Sequence, residues 1–245
     1  MREPVLLVVA HGSRDPRHAA TVHALVRRVR SLRPGLRVET GFLDFDVPSV
    51  RGVLESLDAQ GVRDVVALPL LLTRAFHAKA DIPAVLAQAP PRLRIHRADV
   101  LGPSPLLLTA LERRLYEAGL TPADKSSTGV VLASAGSTDP EAIAVIADIA
   151  REWRHTGWRA VRPAFASASP PRTEDAVRDL RALGCGRVAV ARYVLAPGRL
   201  PDRIARGAAG ADVLADVLGP APEVARVLLE RYDGARMPLA AAASA

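Results

Sequence analysis

Two histidines, His11 and His77, are the residues of this sequence best suited to chemistry. His11 directly follows the apolar run "PVLLVVA", and His77 lies in "PLLLTRAFHAKADIP", residues 69–83. Neutral imidazoles bind divalent first-row metals and exchange protons near neutral pH. The pair therefore indicates a site that binds a metal ion, moves protons, or does both.

A carboxylate in the motif "GFLDFDVPS", residues 41–49, is the third candidate. Asp44 stands nearer to the end of the predicted strand than Asp46 does, so it is the better placed of the two. Two imidazoles and one carboxylate would leave a coordination position of a metal open, as in catalytic and transfer sites. An ordinary role for Asp44 at the entry of a helix is the alternative.

The elements that must position these residues are short apolar strands that alternate with amphipathic helices. Strands are predicted at residues 4–10, 36–45, 62–72 and 94–100. Such alternation is typical of a parallel sheet covered by helices on both faces. Because open α/β sheets bind ligands at the carboxyl ends of their strands, we expect His11, Asp44 and His77 to face one crevice.

The first helix has clear start and face signals. Asp15 and Pro16 supply a cap and a first-turn proline. Apolar residues at helical spacing predict an inward face made of Val22, Val26, Val29 and Leu32.

The chain contains an internal sequence repeat. "AHGSRDP" at Ala10 recurs as "SAGSTDP" at Ser134, and "ADVLGPSP" at Ala98 recurs as "ADVLGPAP" at Ala215. Matches of this length in the same order predict an internal duplication. The predicted fold class is α/β, with two similar doubly wound parallel-sheet domains.

The repeat also sets the predicted domain boundaries. We place an N-terminal domain that carries the active site at 1–118 and a degenerate C-terminal repeat at 129–234. Residues 119–128 are rich in Ser, Thr, Gly and Pro, which predicts a linker. Residues 235–245 are predicted to be a frayed tail.

Residues present in only one copy are the better candidates for function. The second copy has Ala135 in place of His11 and Ser167 in place of Asp44. Its counterpart of the 69–83 loop, "RYVLAPGRLPDRI", has neither the histidine nor the lysine of the first copy. Joint loss from one copy indicates that these groups act together.

Other sites are less well supported. Ser13 lies two residues from His11 and suggests a serine hydrolase, but it recurs as Ser137 without a histidine, and no G-x-S-x-G elbow is present. Neither a Walker loop nor a G-x-G-x-x-G motif occurs, which argues against nucleotide binding. Structural or surface roles are assigned to the remaining histidines, His18, His23, His96 and His155.

The composition narrows the environment and the partners. The net charge of +7 favours an acidic partner, but the arginines are scattered without interleaved aromatic residues, so nucleic acid is not expected. A single cysteine, Cys185, excludes an internal disulfide and a multi-cysteine zinc site. No apolar run is long enough for a membrane span, and the N-terminal run is too short for a signal peptide. We therefore expect a cytoplasmic protein that binds no membrane.

Three motifs, "HGSRDP", "FLDFDVPS" and "PLLLTRAFHAKADIP", resemble those of the class II chelatases of the sirohydrochlorin group, the CbiX and SirB type. The resemblance is strong from Leu6 to about Pro103, and the second half resembles the degenerate repeat of that family. It implies chelatase-like α/β domains and the ATP-independent insertion of Fe²⁺ or Co²⁺ into sirohydrochlorin. The metal is then a substrate, and no tightly bound cofactor is expected. The absence of a His-rich tract favours iron, and hence sirohaem, over cobalt and cobalamin.

The resemblance also implies roles for individual residues. The two active-site histidines of the family fall on His11 and His77, which are the implied metal ligands. The family carboxylate, usually Glu, falls on Asp44, which is one methylene shorter. Because the macrocycle carries many carboxylates, polar and basic neighbours of the histidines are predicted to bind substrate: Ser13, Arg14, Arg74 and Lys79.

Two other functions stay open. A non-catalytic carrier of the metal or the tetrapyrrole would use the same histidines without turning over. A regulator of the same fold that binds a small ligand would show no dependence on metal. Since a duplicated chain supplies its own pseudo-two-fold partner, we expect a monomer.

Overall fold

The computed structural model describes residues 3–74 and 80–242, with side chains described as far as residue 236. The chain divides into two compact units, Met1–Gly102 with Pro220–Ala245, and Pro103–Gly219. No helix within the described residues is long and apolar enough to cross a membrane.

The first unit is built on a four-stranded parallel sheet. Its strands are β1 (Val5–Ala10), β2 (Val38–Phe42), β3 (Asp64–Pro69) and β4 (Arg94–Arg97). Its helices are α1 (Pro16–Leu32), α2 (Val50–Ala59), α3 (Ile82–Leu86) and α8 (Pro222–Ala242). The strand order is β2-β1-β3-β4. Strand β1 is apolar and buried along its whole length, as expected for a parallel strand with helices on both faces.

The second unit repeats this design. Its strands are β5 (Thr128–Ser134), β6 (Ala160–Phe165), β7 (Arg187–Tyr193) and β8 (Val213–Val217), in the order β6-β5-β7-β8. Its helices are α4 (Pro105–Glu117), α5 (Pro140–Arg154), α6 (Thr173–Ala182) and α7 (Arg199–Gly207), with a 3-10 helix at Pro122–Ser127. The predicted fold class, two similar parallel-sheet halves, is confirmed.

Local sequence sets the start of the first helix of each copy. The side chain of Asp15 caps α1 and Pro16 occupies its first turn, and Asp139 caps α5 in the same way. The predicted inward valines of α1 are buried. Leu32 was expected to join them but is 45% exposed, because the helix ends there, and Leu25 completes the buried stripe instead.

Each compact unit contains the last helix of the other sequence repeat. Helix α4 ends the first repeat but packs on β7 and β8, where it buries Leu107, Leu111 and Leu115. Helix α8 ends the second repeat but packs on α1, β3 and β4, where it buries Val224 and Leu228. The predicted boundaries therefore mark the repeat of the sequence and not the compact units, because each apolar helix lies where its apolar face is covered.

The segments predicted as linker and tail are ordered at least in part. Residues 119–128 contain the 3-10 helix, and Lys125 Nζ within it lies 2.6 Å from Glu112 Oε1 of α4. The predicted tail, residues 235–245, begins inside α8, which runs to Ala242. Residues 119–128 therefore pack within their own unit, and the described start of the tail continues α8.

Candidate active site at the carboxyl edge of the first sheet

His11 is the first residue after β1, the strand at which the order of the sheet reverses. Strand β1 pairs with β2 on one side and with β3 on the other. Open α/β sheets bind ligands in the crevice at such a reversal point. His11 is half-buried there. The loop after β3 leaves the sheet nearby, because the Leu70 N–H donates to the Val9 carbonyl at 2.8 Å.

Gly12 allows a second turn to approach His11 closely. Its φ is 93°, and a Cβ at this position would lie 1.8 Å from the Asp44 carbonyl oxygen, so only glycine fits. The Asp44 N–H donates to the His11 carbonyl at 2.9 Å. This backbone contact places the predicted carboxylate residue at the same edge of the sheet as His11.

The two carboxylates of this turn have different environments. Asp46 is half-buried, and its Oδ2 accepts a hydrogen bond from the Ser13 backbone N–H at 2.9 Å. Asp44 is exposed, and its Oδ1 accepts from the Phe45 N–H at 2.9 Å. Asp46 therefore stabilises the loop, whereas Asp44 is accessible to a ligand.

The Ser13 hydroxyl has a structural partner. It accepts a hydrogen bond from the Asp15 backbone N–H at 3.1 Å, and Ser137 accepts from Asp139 at 3.0 Å in the second copy. This shared bond explains why the serine is present in both copies. Its role in substrate binding stays a prediction.

Phe45 is a candidate that the sequence patterns did not reveal. Its side chain is 53% exposed, and its ring stacks on the His11 imidazole with a centroid distance of 6.5 Å and an interplanar angle of 26°. The Arg14 guanidinium carbon lies 5.3 Å from the ring centroid. Phe45 also has a φ of 62°, a left-handed conformation that costs a non-glycine residue about 1 kcal/mol. The exposed aromatic ring beside His11 makes Phe45 a candidate for contact with a ligand. The available clue was the alanine, Ala168, at this position of the second copy.

The sequence assigns His18 a structural or surface role. In the structure, its pKa is affected by burial and by the charges of Asp46 and His11. Burial lowers the pKa of His18, Asp46 opposes this shift, and His11 adds to it. The neutral imidazole is therefore favoured at this position of α1.

A family model for CbiX matches residues 5–118 and 129–235. The chain belongs to the CbiX family. The model matches each repeat separately, which agrees with the internal duplication predicted from the sequence.

Two curated relatives of this CbiX-family chain carry different names. It is 31% identical over 206 residues to a sirohydrochlorin cobaltochelatase of Priestia megaterium, covering 81% of this chain and 66% of that protein, just under two thirds. It is 26% identical over 207 residues to a sirohydrochlorin ferrochelatase of Bacillus subtilis (strain 168), covering 82% of this chain and 77% of that protein.

A solved structure shares the fold of the CbiX-family chain. SirB from Bacillus subtilis, determined with Fe³⁺, superposes with a TM-score of 0.82 at 24% sequence identity, covering 98% of each chain. At this identity the likeness supports the architecture of the two sheets alone.

The described part of the CbiX-family chain brings only some of the predicted site residues together. His11, Ser13, Arg14 and Asp44 share one edge of the first sheet. Arg74 lies in the loop after β3, where its guanidinium forms an ion pair with exposed Asp99. His77 and Lys79 lie outside the described residues. Among residues 3–74 and 80–242, no group of three or more His, Cys, Asp or Glu side chains is arranged to hold a metal ion.

Proposed function

We propose that this CbiX-family chain is an ATP-independent chelatase that inserts a divalent metal, assigned as Fe²⁺, into sirohydrochlorin. The observation that carries the proposal is His11, a half-buried imidazole at the reversal point of the first sheet, with exposed Asp44 hydrogen-bonded to its backbone. The copy without that histidine also has no carboxylate at the position of Asp44. Both named relatives support the same class of reaction.

Metal insertion exchanges two pyrrole N–H protons of the macrocycle for one divalent cation. The site must therefore guide a partly dehydrated metal ion and receive two protons. Neutral histidine is suited to both tasks near neutral pH. We assign these tasks to His11 and His77, which pass the protons on to water. Asp44 compensates part of the charge of the incoming cation.

The surroundings of His11 suit the shape and charge of a tetrapyrrole. Such a ligand presents flat apolar faces and peripheral carboxylates. Phe45 offers an exposed aromatic face, and stacking of this kind contributes about 1 kcal/mol. Arg14 beside it suits a carboxylate, which guanidinium groups bind with two hydrogen bonds. Ser13, Arg74 and Lys79 stay predicted substrate contacts.

Cobalt is the second candidate metal, because the relative with 31% identity is named a cobaltochelatase. Iron and cobalt are neighbours in the affinity order of divalent metals, so the ligand types do not separate them. Initial rates with Fe²⁺ and Co²⁺, measured separately and in competition without oxygen, test the assignment. A higher specificity constant for Fe²⁺ is expected, and preference for Co²⁺ in competition would overturn the assignment to iron.

Replacement of the histidines tests the reaction itself. His11→Ala and His77→Ala are each expected to lower the rate of metal insertion about 100-fold or more, the usual scale for a positioned acid–base group. The matched control is His155→Ala, because His155 is an exposed histidine of the second unit. Near-normal rates for both variants would refute the proposed site.

Turnover separates an enzyme from a carrier that uses the same histidines. The native protein at low concentration is mixed with excess sirohydrochlorin and Fe²⁺, and product is followed by absorbance. Many equivalents of metallated product per chain are expected. A burst that stops at one equivalent would support the carrier instead.

A further inference from the structure

The second unit contains a cavity lined by several arginines. Its volume is about 480 Å³, within the range of small-molecule sites. It is lined by Ser167, which follows β6, and by α7 residues that include Arg199, Arg203 and Arg206, here named the α7 arginines. All three are exposed. The cavity therefore presents three cationic side chains to one space.

The α7 arginines have no protein partners among the residues that the structure describes. None of the three makes an ion pair or a side-chain hydrogen bond there. Other arginines of the same unit are paired, as Arg181 is with Asp212 and Arg192 is with Asp216, both at 2.8 Å. The one carboxylate of α7, Asp202, is not among the residues that line the cavity. The positive charge at the cavity is therefore available to a ligand.

The spacing of the α7 arginines favours a ligand with several negative groups. They lie four and three residues apart, which places them within an arc of about 60° on the helix and along about 10 Å of its axis. A small anion such as phosphate can bridge adjacent guanidinium groups but cannot reach across the whole set. Several carboxylates on one scaffold can each pair with a separate arginine.

The helix of the first copy that corresponds to α7 carries no such set of charges. This helix, α3, has neither arginine nor lysine, and Arg74 and Lys79 precede it in the chain. Conversely, Ser167 replaces the carboxylate of Asp44, and its hydroxyl donates to the Ala135 carbonyl at 2.8 Å. The second copy thus has a hydroxyl where the first has a carboxylate, and three arginines on a helix whose counterpart has no basic residue.

We propose that the cavity at the α7 arginines is a binding site for a polycarboxylate anion. Two sources of that chemistry exist: the carboxylate arms of a tetrapyrrole, or a separate small polyacid. The inference does not rest on the proposed function, because the charge and spacing of the site call for a polycarboxylate whether or not the chain inserts metal.

Calorimetric titration of the full-length, metal-free protein at low salt tests this inference. The probes are butanetetracarboxylate, metal-free sirohydrochlorin and inorganic phosphate. The test variant is Arg203→Gln/Arg206→Gln. Its matched control is Arg154→Gln/Arg159→Gln, which removes the same charge from two exposed arginines of the same unit outside the cavity. Circular dichroism checks that both double variants are folded.

The test variant is expected to bind at least one polycarboxylate probe about 10-fold more weakly or worse than the native protein, with the control within about two-fold. Loss confined to sirohydrochlorin identifies the tetrapyrrole arms as the source, and loss for butanetetracarboxylate alone identifies a separate polyacid. The inference would be overturned if both variants lost affinity equally or if neither lost any. It would also be overturned if the native protein bound neither polycarboxylate, or bound phosphate as tightly as butanetetracarboxylate. These outcomes do not depend on metal, so they are distinct from failure of the chelatase proposal.

Discussion

The turns that follow β2 and β6 have the same backbone and different side chains. In the first turn the Phe42 N–H donates to the Pro48 carbonyl at 3.0 Å, and in the second the Phe165 N–H donates to Pro171 at 2.9 Å. Both turns also contain one non-glycine residue in the left-handed region, with φ of 62° in one and 64° in the other. The backbone conformation is therefore a property of the repeated unit and does not by itself indicate function.

The side chains on this shared backbone separate the two copies. Asp46 accepts the Ser13 N–H in the first copy, whereas the hydroxyl of Ser169 at the same position donates to the Ser137 carbonyl at 2.6 Å in the second. Where the first copy has the phenyl ring that stacks on His11, the second copy has only the methyl group of Ala168. One copy has thus kept polar loop contacts while losing the groups that could bind a metal or a macrocycle. The two copies therefore differ in the side chains that the proposed function uses, and not in the backbone of the turn.

Alanine at the two equivalent glycines is the strongest test of the shared backbone. The added Cβ would lie 1.8 Å from the Asp44 carbonyl oxygen in Gly12→Ala and 2.1 Å from the Ser167 carbonyl oxygen in Gly136→Ala. Each variant is expected to lose about 3 kcal/mol of unfolding free energy, because both the φ and the close approach exclude a side chain. Urea unfolding measures this loss. A large loss in one variant and none in the other would break the comparison.

The last helices of the two repeats, α4 and α8, differ in the hydrogen bonds that their carboxylates accept. Glu112 Oε1 of α4 lies 2.6 Å from Lys125 Nζ and accepts from the Trp153 indole N–H at 3.2 Å. Burial alone raises the pKa of Glu112, but these hydrogen bonds outweigh it and hold the pKa below its usual value. On α8, hydrogen bonds from Arg33 lower the pKa of the more exposed Asp233.

Glu112→Gln is expected to lower the unfolding free energy by about 2 kcal/mol at neutral pH, and Asp233→Asn by less. A carboxylate with a lowered folded pKa stabilises the protein above its unfolded pKa, and this contribution is lost as the pH falls through the folded value. The difference between Glu112→Gln and the native protein should therefore shrink below about pH 4.5. Urea unfolding at neutral pH and at about pH 3 tests this sign. A difference that grows in acid would contradict it.

Replacing Asp44 by the residue of the second copy sharpens the comparison at the site. Asp44→Ser is expected to lower the rate of metal insertion about 10-fold with little change in stability, because this exposed carboxylate is assigned to the cation. Asp46→Ser is the matched control and should mainly lower stability, since Asp46 accepts the Ser13 N–H. Initial rates and thermal unfolding of both variants separate the two roles. The reverse result would move the site carboxylate from Asp44 to Asp46.

The sequence predicted the helices and strands of this protein better than it predicted which of them pack together. Strands, helix caps and the parallel sheets follow from periodicity and local chemistry, which act over a few residues. The exchange of α4 and α8 could not be predicted in this way. Their apolar faces, such as Leu107 with Leu111, fit either sheet, and only three-dimensional packing selects one.

The candidate site was predictable where the two copies differ in residues with known chemistry. His11 and Asp44 became candidates because Ala135 and Ser167 replace them in the second copy, and their roles stay predictions. Phe45 was missed, because a phenylalanine beside a strand is ordinarily taken as part of a core. Its exposure and its contact with His11 are visible only once the turn has folded.

Phe45→Ala gives the smallest expected effect and tests the comparison most finely. The second copy already holds alanine at this φ in Ala168, so the backbone should tolerate the change and the melting temperature should stay nearly constant. Loss of a stacking face contributing about 1 kcal/mol should raise the KM for sirohydrochlorin about 5-fold, with a smaller change in kcat. Ala168→Phe is the control and should leave both constants unchanged. Steady-state kinetics over a range of sirohydrochlorin concentrations measures this split. A fall in kcat at constant KM would instead assign Phe45 to the positioning of His11, because the ring would then act through the imidazole and not on the substrate.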